Sequence, residues 1–206
     1  MPGVDLSGKT VVIAGAGCEV GVALAHGFVR AEARVVLVDR HEAAILEVAT
    51  LARDRIETLA LDPLRSDLCQ RFGEVWADEP LHVLVHLQPL RNPERLADAL
   101  RSIPALTRDM ARALRAGQGR VLVLFHAPVH LAGIDRRLLD RAMAGLPEML
   151  DDKLGAHGIR CNGLRLPDSL SQRGVIQDRV ATVTFLCGPS GGAIGGAVLP
   201  LRPRSD

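Results

Sequence analysis

Short apolar runs alternate with longer stretches of helical periodicity along the chain. Seven runs read as strands: Thr10–Ala14, Arg34–Asp39, Glu57–Leu61, His82–His86, Arg120–Phe125, Ile159–Leu166 and Ala197–Leu201. Most are continuously apolar rather than alternating, as expected of strands covered on both faces. Between them the spacing predicts helices over Val20–Glu32, His41–Asp54, Leu64–Trp76, Pro93–Ala116, Asp135–Gly155 and Val175–Cys187. Repeated strand–helix–strand units imply parallel pairing with right-handed crossovers. The expected fold is therefore α/β, a Rossmann-type doubly wound parallel sheet of about seven strands with helices on both faces. Connections are short and no linker or repeat interrupts them. Residues 1–201 read as one domain and Arg202–Asp206 as a polar tail.

The helix over Asp135–Gly155 carries an apolar stripe of Leu138, Leu139, Ala142, Met143, Leu146, Met149 and Leu150. Such a stripe either packs on the sheet or forms a subunit interface. Gly145 and Pro147 lie inside it and predict a kink.

Composition narrows the function classes. Hydrophobic residues make up 48% of 206, enough for a sizeable core, and the net charge of +1 offers no bulk attraction to nucleic acid or membrane. No segment approaches the ~18 apolar residues of a membrane helix, and Met1–Lys9 lacks an apolar signal core, so a cytoplasmic protein is expected. Cys18, Cys69, Cys161 and Cys187 are widely spaced and form no CxxC, so neither a zinc site nor a disulfide framework follows. His126 and His130 are four apart, but Pro128 between them argues against a metal pair. The chain contains no tyrosine, which excludes any mechanism needing a phenol of its own.

Gly15-Ala16-Gly17-Cys18-Glu19-Val20-Gly21 follows the first strand and opens the first helix. Glycines there let a phosphate approach the unpaired N–H groups of a helix N-terminus. Asp39 ends the second strand, where an acid binds a ribose hydroxyl. Gly15, Gly17, Gly21, Asp39 and Asp62 are thus the candidate dinucleotide contacts.

Together with Asp5-Leu6-Ser7-Gly8-Lys9-Thr10 before it, the glycine turn resembles the opening of a short-chain dehydrogenase/reductase. His157-Gly158-Ile159-Arg160-Cys161-Asn162 resembles that family's HGIRVN, and Pro167 its following proline. Phe185-Leu186-Cys187 through Ile194-Gly195-Gly196 resembles its closing segment. The resemblance runs from about Asp5 to Leu201 and implies an NAD(P)-dependent oxidoreductase scaffold.

The departures fall where the resemblance implies chemistry. The central glycine of the turn is Glu19, which either obstructs the pyrophosphate site or swings outward as a first-turn acid. The family's NNAG is His86-Leu87-Gln88-Pro89. Its catalytic serine falls at Phe125 or His126, its tyrosine at Arg136 and its lysine at Asp140; its helix asparagine falls near Asp98. The stretch Asp168–Gly174 is short where relatives carry a substrate lid. Proton donor, its tuner and carbonyl orienter are all replaced, so the resemblance implies no catalytic residue here and no, or weak, NAD(H) binding.

Three readings remain open. The first is a pseudoenzyme subunit that scaffolds or regulates an intact relative, or pairs with itself. Its contacts would be the two long helices, about 93–116 and 135–155, and the C-terminal strand. The second is an NAD(H)-binding sensor without turnover. The third is an NAD-dependent oxidoreductase using substituted groups, such as His126 with Asp140 or Arg136.

Overall fold

Seven valine- and leucine-rich strands form one sheet, and every pairing in it is parallel. The structure is a computed structural model; it describes residues 4–50, 52–127, 131–167 and 173–201. The strands are β1 (Thr10–Ala14), β2 (Arg34–Asp39), β3 (Ile56–Ala60), β4 (Val83–His86), β5 (Arg120–His126), β6 (Arg160–Leu166) and β7 (Val198–Pro200). Their order is β3-β2-β1-β4-β5-β6-β7. The crossover from β3 to β4 returns beside β1, so a switch point lies between β1 and β4, where doubly wound sheets place ligands.

Alternate side chains serve opposite faces, as the period of two requires. Val11 and Ile13 of β1 join Leu24 and Phe28 of α1 (Glu19–Arg30) and Val183 and Leu186 of α8 (Arg173–Cys187). Val12 and Ala14 face the other way, onto a layer holding Phe72 of α3 (Ser66–Trp76), Ile103 and Leu106 of α5 (Leu96–Asp109), and Met143, Leu146 and Leu150 of α7 (Gly133–Leu154). The predicted strands are all present, with ends displaced by no more than one residue.

The helices depart more. The segment expected as one helix over Pro93–Ala116 is a 3-10 turn at Pro93–Arg95, then α5, then α6 (Ala111–Gly117). Met110 makes the break at φ −91° and ψ 3°; it is buried, as are Ala113 and Leu114 beyond it. The turn keeps all three in the core, where a straight helix would carry α6 past it. The second helix is only α2 (Glu42–Ala49), and Thr50 at its end donates its hydroxyl to the Glu47 carbonyl. A four-residue helix, α4 (Gln88–Arg91), with Pro89 in its first turn, was not expected from periodicity.

α7 is one continuous helix through Gly145 and Pro147. Its apolar stripe divides. Met143, Leu146 and Leu150 are buried, whereas Leu138 is 61% and Met149 63% exposed. The tail Arg202–Asp206, His130 and residues 168–172 lie outside the described residues.

Candidate functional site

The carboxyl ends of the strands meet along one edge of the sheet, where Gly15, Gly17, Gly21, Asp39, Asp62, Phe125 and His126 lie at or just after β1, β2, β3 and β5. Arg136 and Asp140 are carried by α7, and Asp98 by α5.

The glycine turn follows β1. A Cβ on Gly17 would stand 2.8 Å from Asp39 Oδ2, and one on Gly21 would collide with the Ala16 carbonyl. Both glycines are therefore required by the protein's own packing. Gly15 lies against the backbone of Leu87 and Gln88 after β4. Glu19 is exposed at the first position of α1. Arg179 of α8 is buried; burial lowers its pKa, and the field of Glu19 opposes that shift.

Asp39 is 1% exposed, and its carboxylate is engaged by three protein donors. Gly17 N–H donates to Oδ2 at 2.8 Å, His41 N–H to Oδ1 at 2.9 Å, and Arg91 Nε to Oδ2 at 3.1 Å. A carboxylate has about four acceptor positions. Three are filled, and Arg91 is an ion-pair partner, so this side chain does not fit as a free ribose acceptor. Asp62, after β3, accepts from the Leu64 N–H at 3.0 Å and closes the turn into α3.

Beyond β4 the sequence His86-Leu87-Gln88-Pro89 builds a buried polar relay. His86, Gln88 and Thr107 are fully enclosed. Thr107 donates its hydroxyl to the Ile103 carbonyl at 2.8 Å, so its oxygen receives the proton of His86 Nε2 at 2.9 Å. His86 Nδ1 then accepts from Gln88 Nε2 at 3.2 Å. These contacts fix one neutral tautomer and leave no ring nitrogen available for catalysis.

Burial pushes the His86 pKa down to about 4. An unfolded histidine titrates near 6.5. Between those values the unfolded chain holds a proton that the folded one does not, so stability falls as pH falls through that window and is intact above it. The expected loss between pH 7 and 4 is on the order of 3 kcal/mol. Denaturant midpoints measured across that range should show this slope. The His86→Gln variant should lack it; an equal slope in the variant would assign it elsewhere.

β5 ends in Phe125 and His126. Phe125 is fully buried in the core and offers nothing to a substrate. His126 Nδ1 lies 2.8 Å from the Ala127 carbonyl, which can only accept, so Nδ1 carries the hydrogen. Asp140 is bound to Arg165 of β6, at 3.0 Å through Oδ2 and 2.9 Å through Oδ1. The His126–Asp140 pair considered from the sequence is therefore replaced by Asp140–Arg165, because a neighbouring strand supplies a permanent cation. Arg136 and Arg165 line an open cleft of about 250 Å3 with Ala127, Leu166, Pro167 and Leu201. Asp98 is paired with Arg95 and Arg101 on the helix surface.

Arg91, Arg165 and Thr107 were not singled out by the sequence, and Gln88 only as part of the stretch that replaces the family's NNAG. The described residues contain no cluster of His, Cys, Asp and Glu able to hold a metal, and no helix among them is long and apolar enough to cross a membrane. All four cysteines are free thiols.

A parallel seven-stranded sheet with a glycine turn after β1 and a long helix after β5 is the fold of the short-chain dehydrogenases/reductases. Solved structures similar to it over nearly the whole chain share that fold. They include the RhlG/NADP active-site complex of Pseudomonas aeruginosa (TM-score 0.80, 18% identity, 96% of each chain covered). A hydroxysteroid dehydrogenase from Escherichia coli is similar (0.79, 20%, 96% of each). So is a short-chain type dehydrogenase/reductase from Mycobacterium marinum (0.78, 18%, 96% of this chain and 94% of that one). In sequence, 94 residues are 31% identical to an 11-beta-hydroxysteroid dehydrogenase of Pinus massoniana, a match spanning 44% of this chain and a quarter of that protein. No family profile matches the chain.

Proposed function

We propose that the chain is a non-catalytic subunit of the short-chain dehydrogenase/reductase fold that scaffolds or regulates an active dehydrogenase of that fold, with no, or weak, NAD(H) binding of its own. One observation carries the reading: the position that the resemblance gives to the lysine is Asp140, and its carboxylate is neutralised by Arg165. A reversed charge already bound to an arginine cannot lower a phenol's pKa or hold a nicotinamide ribose. The engaged Asp39 supports the weak-cofactor part. The four free thiols support a reducing, cytoplasmic setting.

The docking face in this reading is the groove between α5 and α7. Pro104, Ala105, Leu146, Met149, Leu150 and Leu154 line it, with Arg101, Arg108 and Lys153 at its rim. An apolar floor with a basic rim suits a partner helix pair with an acidic border. Coexpression with an intact relative, followed by native mass spectrometry, should give a hetero-oligomer. Met149→Asp should abolish it while leaving the circular dichroism unchanged. A monomer in both cases overturns the scaffold reading; a complex of two copies of this chain replaces it with self-pairing.

The NAD(H) sensor is kept as a second reading by the glycine turn at the N-terminus of α1 and by the cofactors in solved relatives such as the RhlG/NADP complex. Calorimetric titration separates the two: micromolar NADH affinity without turnover favours the sensor.

A further inference from the structure

At the opposite edge of the sheet, the amino ends of β1, β4 and β5 surround a small cavity. It is lined by Asp5, Lys9, His82, Gln118, Arg120 and, at the end of α8, Cys187 and the following Gly188. Lys9 just before β1, His82 just before β4 and Arg120 at the start of β5 all line it. Its volume of about 170 Å3 is below the range of about 300–1,000 Å3 typical of sites for drug-sized ligands.

The charges around this cavity are not balanced. Arg120 is partly buried, and burial together with the neighbouring Arg160 lowers its pKa. Its Nη1 donates to the Gln118 and Gly119 carbonyls, and its Nε is buried without a hydrogen bond. Neither Arg120 nor Lys9 has a carboxylate partner among the described residues. The one acid in the lining, Asp5, is exposed and accepts from the Ser7 N–H at 2.8 Å. An unpaired, partly desolvated guanidinium is costly unless an anion accompanies it.

His82 adds direction. The Thr10 N–H donates to His82 Nδ1 at 3.1 Å, so the neutral ring must carry its hydrogen on Nε2. Burial and the field of Lys9 hold the ring in that neutral form. The lining thus offers an ammonium, a guanidinium and an N–H donor against one carboxylate, that of Asp5, which lies at the exposed side and already accepts from Ser7, so cationic donors outnumber acidic side chains two to one.

We infer that this cavity is a binding site for a small tetrahedral oxyanion, free phosphate or the terminal phosphoryl group of a small monoester, held by Lys9, His82 and Arg120. Two cationic N–H donors and a neutral one, held on separate segments at the amino edge of the sheet, select an oxyanion by geometry as well as charge. The site lies across the sheet from the glycine turn, so it does not compete with a dinucleotide there. It stands independently of the scaffold reading.

The test is the His82 ring followed by NMR while the full chain is titrated with sodium phosphate at constant ionic strength. Bound phosphate should raise the pKa of His82 and saturate with a dissociation constant of about 1 mM or tighter. Lys9→Gln, a change at an exposed side chain, should weaken binding several-fold with the backbone spectrum otherwise retained. Methyl phosphate binding as well as phosphate points to a monoester; phosphate alone binding points to the free ion. A His82 shift that sodium chloride or acetate reproduces, or that Lys9→Gln leaves unchanged, overturns the proposal.

Discussion

Asp39→Ala should lower the free energy of unfolding by about 3 kcal/mol, at the lower end of the range for breaking a buried ion pair from one side. The replacement strands the Gly17 and His41 N–H groups and leaves the Arg91 guanidinium, itself only 24% exposed, without its counter-ion. Asp39→Asn should cost less, since its amide oxygen still accepts one of the N–H groups. Denaturant titration of both variants measures this, and calorimetry with NADH measures the competing role. If the carboxylate mainly awaits a ribose, Asp39→Ala leaves the unfolding midpoint nearly unchanged and abolishes NADH binding. A stability loss below about 1 kcal/mol therefore counts against the structural role given to it here.

The same residue shows how far the sequence reaches. The strand ending in Asp39 is a local pattern of buried valines and was legible to the residue. The other strands were legible to within one residue at each end, because a parallel sheet demands continuous apolar runs and the chain supplies them in order. What Asp39 does there was not legible. Its partner Arg91 is 52 residues away, on a helix of four residues too short to show a period. Asp140 behaves alike. Its place on the long helix was readable from spacing, whereas Arg165 reads as an ordinary polar position within a strand. The break at Met110 was hidden for the converse reason: the apolar spacing continues across it, and only packing against the sheet decides where α5 stops. Local periodicity thus set the elements, and long-range pairing of charged side chains set the site.

The purified chain, given NADH and a panel of ketones, should oxidise NADH no faster than the protein-free solution. Positioned acid–base catalysis supplies about 10²–10⁴ in rate, and a preorganised donor to the developing oxyanion about 10²–10³ more. Among the described residues neither contribution has a positioned source at the carboxyl edge: Phe125 is in the core, His126 donates Nδ1–H to the adjacent carbonyl, and Asp140 is neutralised. Arg136→Tyr with Asp140→Lys should not restore the rate. The introduced lysine would face Arg165, whose carboxylate partner has been removed, and like charges there would drive the ammonium away from the phenol it must tune. Adding Arg165→Ala removes that repulsion and still leaves no hydroxyl at position 125 or 126 to orient a carbonyl. NADH oxidation in the unmodified chain that depends on the ketone and disappears in His126→Ala would sink this account and make His126 the acid of a substituted mechanism. Oxidation that appears only when an intact relative is added, and is weakened by Met149→Asp, is the result a scaffold requires.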